Sequence, residues 1–217
     1  MGPERRNFLN ILVTAGPTRE YIDEIRFLTN PSSGKMGFIS AEVFAGAGHK
    51  VTLISGPVSL TPPEGVECVP VETAGEMHKA VLKRFEYVDC VVMTAAVMDF
   101  RPKEKVAGKI RRGGGGFTLE LVENPDILGE LGQMHLEKIL IGFALETEEG
   151  RASARAKLEA KNLDLLVLNF PESFGADRTR FEVLDRKGKW RSLGLIKKEE
   201  LAKFLLTEIE LLKALKP

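Results

Sequence analysis

Apolar residues along this chain fall in short continuous runs that alternate with stretches of helical spacing. Residues 8–15 (FLNILVTA), 50–55 (KVTLIS), 66–71, 89–96 (DCVVMTAA), 139–145 and 163–169 have the length and apolar continuity of buried strands. Residues 33–47, 73–85 and 150–162 read as helices between them. Thr73 is a predicted N-cap, with Glu76 at the capping-box spacing. Strands apolar on both sides, joined by helices, predict a mostly parallel sheet with helices on both faces. The fold class is α/β, read as a single Rossmann-like domain over residues 1–217.

Some stretches break the rhythm. Residues 100–116 have no apolar periodicity and end in four glycines, and residues 117–122 then alternate as a half-exposed strand would. Residues 181–184 and 189–193 flank Arg186-Lys187-Gly188 and predict a small C-terminal β-hairpin. Residues 197–216 predict a closing amphipathic helix with Leu201, Phe204, Leu205, Ile209, Leu212 and Leu215 as its stripe. The stripe reads as core or a subunit contact, and the hairpin and closing helix are the candidate dimerisation region.

Composition narrows the function classes. Lys plus Arg equals Asp plus Glu, 31 each, so the basic excess of a nucleic-acid-binding protein is missing. Cys68 and Cys90 stand far apart without the spacing of a zinc site or a disulfide framework. The first residues do not read as a signal peptide, and no apolar run approaches the roughly 20 residues of a membrane span. A cytoplasmic protein without a membrane or nucleic-acid partner is expected.

The candidate chemistry sits where predicted strands end. The first strand stops at Thr14-Ala15-Gly16, and a long loop, residues 17–32, precedes a helix opening at Ser33-Gly34-Lys35. Loops of this length in compact domains are usually functional, and open α/β sheets bind ligands at the carboxyl ends of strands. Gly16, Ser32, Ser33, Gly34 and Lys35 therefore form a candidate phosphate loop, with helix-start N–H groups as donors. The alternative is a helix cap with packing glycines. The fourth strand ends at Thr94-Ala95-Ala96, small enough for a base or ribose to lie against it, and Asp99 follows. Lys103, Lys105, Lys109, Arg111 and Arg112 make either a lid over phosphates or a solvated basic loop. Asn124 and Pro125 read as the cap and first residue of another helix. Lys157 and Lys161 share a helical face and either reach a triphosphate together or are simply solvated. His49, His78 and His135 fall outside these segments and read as surface or turn residues.

In their order these segments resemble the phosphopantothenoylcysteine synthetase family of coenzyme A biosynthesis. The resemblance runs from Thr14-Ala15-Gly16-Pro17-Thr18-Arg19-Glu20 through Asp23, Arg26 and Asn30 to Ser32-Ser33-Gly34-Lys35-Met36-Gly37. It continues at Ala95-Ala96-Val97-Met98-Asp99, Lys109-Ile110-Arg111-Arg112, Asn124-Pro125-Asp126-Ile127, Gly142-Phe143-Ala144, Glu146-Thr147 and Lys161-Asn162-Leu163-Asp164. It implies a homodimeric ligase that joins 4′-phosphopantothenate to L-cysteine through an acyl-cytidylate, converting CTP to CMP and pyrophosphate, with ATP as the alternative nucleotide. Mg²⁺ would be held mainly by nucleotide phosphates, with no metal site built from protein ligands. By matching positions, nucleotide contacts fall on Met93, Thr94, Ala95, Asp99, Lys109, Asn124, Pro125, Asp126, Ile127, Phe143, Lys157 and Lys161. Asn30 and Lys109 are the catalytic candidates. Many bacterial relatives also carry a flavin-dependent decarboxylase domain, which these residues do not include, so no flavin is expected. Arg111 and Arg112 stand where the family usually has lysines, and Leu145 replaces a usual alanine.

Two other functions compete. A dinucleotide-dependent oxidoreductase would need G-x-G-x-x-G at the first turn and an acidic residue closing the second strand, where Ser55-Gly56-Pro57 stands instead. A nucleotide sensor would bind without turnover and leave Asn30 and Lys109 without a task.

Overall fold

The computed structural model describes residues 8–113, 115–134, 137–145, 150–170 and 178–216. In chain order the elements are β1 (Asn10–Ala15), β2 (Arg19–Tyr21), β3 (Phe27–Thr29), α1 (Lys35–Gly46), β4 (Lys50–Ser55), β5 (Glu67–Pro70), α2 (Ala74–Phe85) and β6 (Cys90–Met93). There follow β7 (Phe100–Pro102), β8 (Leu121–Glu123), α3 (Ile127–Gln133), β9 (Ile139–Leu145), α4 (Arg151–Ala160), β10 (Leu165–Asn169), β11 (Arg178–Asp185), β12 (Trp190–Lys197) and α5 (Lys198–Leu215).

The main sheet has eight strands among the described residues, in the order β12-β11-β10-β9-β6-β1-β4-β5. From β5 to β10 every neighbour is parallel, and the β11–β12 hairpin adds two antiparallel strands at one edge. Alternation along each strand sends side chains to opposite faces. Ile11, Val13, Val51, Leu53, Val92, Ile141 and Val167 bury against α1 and α5. Leu12, Ile54, Val91, Leu140 and Leu166 bury against α2, α3 and α4. This two-sided burial is why the strands read as continuous apolar runs.

The C-terminal hairpin is longer than its apolar runs, and a register shift between Phe181 and Glu182 faces Gly194, whose φ is 68°. On α5, Leu201, Leu205 and Ile209 are buried and Phe204 and Leu212 pack beside them, but Leu215 is 79% exposed. The stripe therefore ends a turn early, where the helix runs past the sheet. Thr73 caps α2 as expected, its hydroxyl accepting from Glu76 N–H at 3.1 Å. The Glu76 carboxylate accepts from Glu72 N–H (2.7 Å) and not from Thr73.

Four local expectations need correction. The loop over residues 17–32 holds a hairpin, β2 paired with β3, stabilised by Arg19 stacked 4.5 Å from the Phe27 ring centre. Residues 117–120 are not strand; β8 begins at Leu121, because β7 offers only three residues to pair with and Phe117 has no apolar layer to enter. The cap of α3 is Asp126, which accepts from Gly129 N–H at 3.1 Å, so Asn124 and Pro125 precede the helix. His49 is buried, its Nδ1 accepting from Leu9 N–H at 3.1 Å, and so ties the end of α1 to the start of β1. His78 is half-buried against Glu130 at 2.7 Å. His135, Glu146 and Thr147 lie outside the described residues.

Candidate functional site

From β1 the chain winds one way to β4 and β5, and from β6 it winds the other way to β9 and β10. Diverging connections cannot cover the gap between them, so a crevice opens at the carboxyl ends of β1 and β6. The two strand ends are zipped together beneath it. Thr94 donates its hydroxyl to the Thr14 carbonyl at 2.7 Å, Ala95 N–H donates to Thr14 Oγ1 at 3.3 Å, and Ala96 N–H donates to the Gly16 carbonyl at 2.9 Å. Thr14 is fully buried.

The segment beyond β6 is braced from two more sides. Buried Thr18 accepts from Met98 N–H at 3.0 Å, and the Asn124 side-chain amide donates to the Met98 carbonyl at 2.9 Å. Asn30, just past β3, donates its side-chain N–H₂ to the carbonyls of Ala96 (3.3 Å) and Val97 (3.1 Å). Residues 94–99 thus form a shelf braced by hydrogen bonds on several sides.

Above this shelf lies a cavity of about 1170 Å³. Drug-sized ligands usually occupy pockets of roughly 300–1,000 Å³, so this cleft is large enough for a sizeable small molecule. Its wall includes Asn30, Ser32, Ser33, Gly34 and Lys35 from the loop before α1, and Met93, Thr94, Ala95 and Asp99 from the shelf. Asn124, Pro125, Asp126 and Ile127 close a second side, and Phe143, Lys157 and Lys161 a third. Lys161 ion-pairs with Asp126 at 2.8 Å, which joins α4 to the start of α3. Residues not foreseen also line it, among them Asn169 and Lys198.

Two of the candidates do not line the cavity. Gly16 lies behind it with φ 74°, packed against the equally left-handed Gly34 (φ 75°), and both face Val58 Cγ1 at 3.0 Å from where a Cβ would stand. Lys109 is exposed on the basic stretch beyond β7, outside the cavity wall. On the β4 side the crevice is shut: a Cβ on Gly56 would meet the Pro17 carbonyl at 1.7 Å, so main chain abuts main chain there. A separate apolar cavity of about 480 Å³ lies beyond that wall.

Thr14, Thr18, Glu20 and Asp23 belong to the family resemblance, but their burial under the site was not legible in the sequence. Polar types in a loop read as solvated, and their only signal was their concentration in one short stretch. Glu20 accepts from Ala74 N–H at 2.8 Å at the start of α2. Burial pushes its carboxyl above the usual range, partly offset by that N–H, the Thr18 hydroxyl and the Arg101 charge. A carboxyl whose folded pKa is raised contributes stability that is complete below its unfolded pKa of about 4.3 and lost as pH rises through the raised value. Glu20→Gln keeps an acceptor for Ala74 without the charge. Its melting temperature should exceed the parent's at pH 7, and thermal melts should show the margin closing by about pH 4. A margin independent of pH would mean Glu20 does not titrate in this range.

Among the described residues no group of three or more His, Cys, Asp and Glu gathers to cage a metal ion. Asp99 and Glu123 on the cavity wall suit a hard cation held chiefly by phosphate oxygens and water. Cys68 and Cys90 are free thiols. No described helix is long and apolar enough to cross a membrane.

Comparison with known proteins places this geometry. The family described as DNA/pantothenate metabolism flavoprotein C-terminal domain matches residues 7–212. The coenzyme A biosynthesis bifunctional protein CoaBC of Bacillus subtilis (strain 168) is 46% identical over 205 residues, 92% of this chain and 50% of that protein. The crystal structure of the C-terminal domain of a CoaBC protein superposes with a TM-score of 0.83 at 40% identity, covering 95% of this chain and 96% of that one. A Cab2 mutant in complex with phosphopantothenate-cysteine shares the fold, with a TM-score of 0.81 at 19% identity over 95% of this chain and 88% of that one. The chain spans about half the length of the curated relatives it matches.

Proposed function

The chain belongs to the phosphopantothenoylcysteine synthetase family, and from that premise we propose that it joins 4′-phosphopantothenate to L-cysteine through an acyl-cytidylate, with CTP giving CMP and pyrophosphate. One observation carries the reading. A single cavity gathers the loop before α1, the shelf beyond β6, the start of α3 and the lysines of α4, each a separate segment of the family's pattern. The Cab2 mutant whose structure is a complex with phosphopantothenate-cysteine shares the fold.

In the first step the pantothenate carboxylate attacks the α-phosphorus of CTP, forming a P–O bond as the bond to pyrophosphate breaks. Two anions meet, so positive charge must be preorganised around them. Ser33, Gly34 and Lys35 receive phosphate oxygens, with Lys157 and Lys161 across the cavity and Lys109 brought in from the basic stretch. Asp99 and Phe143 take the cytidine against the flat shelf of Thr94 and Ala95. Mg²⁺ would supply further neutralisation of the triphosphate, held chiefly by phosphate oxygens and water with Glu123 as the available carboxylate on the cavity wall. In the second step the cysteine amine attacks the acyl carbon. A C–N bond forms, the C–O bond to CMP breaks, and the amine proton leaves through CMP or water.

Asn30 serves this second step. Its amide hydrogens rest on the Ala96 and Val97 carbonyls. The oxyanion of the tetrahedral centre is a stronger acceptor than either carbonyl and can draw one hydrogen away. Within the family resemblance the enzyme acts as a cytoplasmic homodimer, with the β11–β12 hairpin and α5 as the candidate contact.

The test is direct. Protein incubated with 4′-phosphopantothenate, cysteine and Mg²⁺ should release pyrophosphate and CMP from CTP, faster than AMP from ATP. Lys109→Gln should slow pyrophosphate release by about 100-fold. No pyrophosphate from either nucleotide rejects the reading, and an unchanged first step in the variant leaves Lys109 a solvated charge.

A further inference from the structure

The basic stretch after β7 has no regular secondary structure over residues 103–113. It is held by a turn on a different part of the chain. Between β2 and β3, Asp23 Oδ1 accepts from the backbone N–H groups of Ile25 (2.8 Å) and Arg26 (2.7 Å), which is an ordinary Asx turn. Oδ2 reaches further. It accepts from the Arg26 guanidinium at 2.8 Å and from Ile110 N–H at 3.1 Å. Arg26 Nη1 in turn donates to the Ile110 carbonyl at 3.1 Å. Both main-chain polar groups of Ile110 are thus taken by one Asp–Arg pair. Two backbone bonds lengthen the seam, Val106 N–H to the Ile22 carbonyl (2.9 Å) and Glu24 N–H to the Gly108 carbonyl (3.4 Å).

A turn alone does not require a buried carboxylate, yet Asp23 is wholly buried. Burying a charge is costly unless donors converge on it, and here four do. The Arg26 N–H first, then those of Ile25 and Ile110 and the Arg26 charge, hold the carboxyl down to about 2 against the opposing effect of burial. The group is therefore ionised, and its grip on Ile110 intact, at any working pH. Ile110 lies between Lys109 and Arg111 in the chain, and the same hairpin leads through β3 directly into Asn30.

We propose that Asp23 is a positioning residue for the ligase: by holding the main chain of Ile110 it sets where Lys109 stands relative to the cavity. The proposal rests on the ligase reading, in which Lys109 serves the first step. Asp23 touches no substrate and acts through Ile110. One turn thereby registers the Lys109 stretch against the hairpin that carries Asn30.

Two variants attack the contact from opposite ends. Asp23→Asn keeps an oxygen for the turn and puts an N–H₂ group where Ile110 N–H needs an acceptor. Ile110→Pro removes the N–H and leaves the turn intact. In Asp23→Asn, hydrogen exchange at Ile110 should accelerate at least about tenfold while amides of β1 and β6 keep their protection. The turnover rate for pyrophosphate release at saturating CTP should fall by about 10- to 100-fold, with CTP affinity changed less than about threefold. Ile110→Pro should reproduce the kinetic loss, and combining the two should cost little more than either. Unchanged exchange at Ile110 overturns the clamp. Faster exchange with an unchanged turnover rate overturns the positioning role. If Asp23→Asn does not fold, Ile110→Pro decides through its turnover rate. A parent protein that releases no pyrophosphate from CTP or ATP ends the ligase reading and the catalytic role together, while the exchange result still decides the clamp.

Discussion

Replacing Asn30 by aspartate is expected to leave pyrophosphate release running while cysteine transfer slows by about 100- to 1,000-fold, so that the acyl-nucleotide accumulates. The reason lies in what the side chain touches. Asn30 N–H₂ donates to two adjacent carbonyls, those of Ala96 and Val97, at 3.3 and 3.1 Å. A carboxylate in that place offers no hydrogen and sets negative charge against both oxygens. It would also confront the oxyanion of the second step with a like charge, where the amide offers a donor. The groups assigned to the first step, Ser33 to Lys35 and the α4 lysines, stand on other elements of the cavity wall. Rapid quench with labelled CTP should find the intermediate persisting on the variant. Normal coupling to cysteine would remove Asn30 from the mechanism.

Gly37→Ala is expected to destabilise the protein by about 1–3 kcal/mol, against the normal preference for alanine in helices. A Cβ at this position would stand 2.5 Å from Ala15 Cβ, 2.7 Å from Thr94 Oγ1 and 3.0 Å from the Thr14 carbonyl. Thr94 cannot yield without giving up its 2.7 Å bond to Thr14. The first turn of α1 must then lift away from β1, carrying Ser33 and Lys35 out of the cavity wall. For a domain of this size each kcal/mol lowers the melting temperature by roughly 2–4 °C. The displaced turn should also raise KM for the nucleotide about tenfold. A variant as stable as the parent would show that the α1–β1 contact has slack.

The sequence announced the parallel sheet because β1, β4, β6, β9 and β10 are buried on both faces and so are apolar at consecutive positions. Strand ends, which are readable, pointed to Ser32 to Lys35, Thr94, Ala95 and Asp99, whereas Met93, Phe143 and a nucleotide role for residues 124–127 came only from the family resemblance. The sequence hid the β2–β3 hairpin, whose strands are three residues long and whose Arg19, Glu20 and Tyr21 show no apolar face. Besides the Arg19–Phe27 stack, that hairpin is anchored by buried polar contacts of Thr18, Glu20 and Asp23, and no local pattern distinguishes these from solvated loop residues. The start of α3 illustrates a different limit. Asn124 and Asp126 are both good caps, and only tertiary structure assigns Asp126 to the helix and Asn124 to the Met98 carbonyl. Residues 117–122 had the alternation of a strand, but alternation requires a partner, and β7 reaches only as far as Leu121.

On the proposed ligase reading, the close packing of Gly16, Gly34 and Val58, with Gly56 pressed on Pro17, limits how long a nucleotide this crevice accepts. Two nucleosides bridged by a diphosphate straddle such a sheet, one unit on each side of the point where the strand order reverses. Here one of those berths is walled off, and the diphosphate bridge would have to pass through packed main chain. What remains fits the proposed reading: a one-sided mooring for a mononucleotide, with the rest of the cavity open to a second molecule lying alongside it.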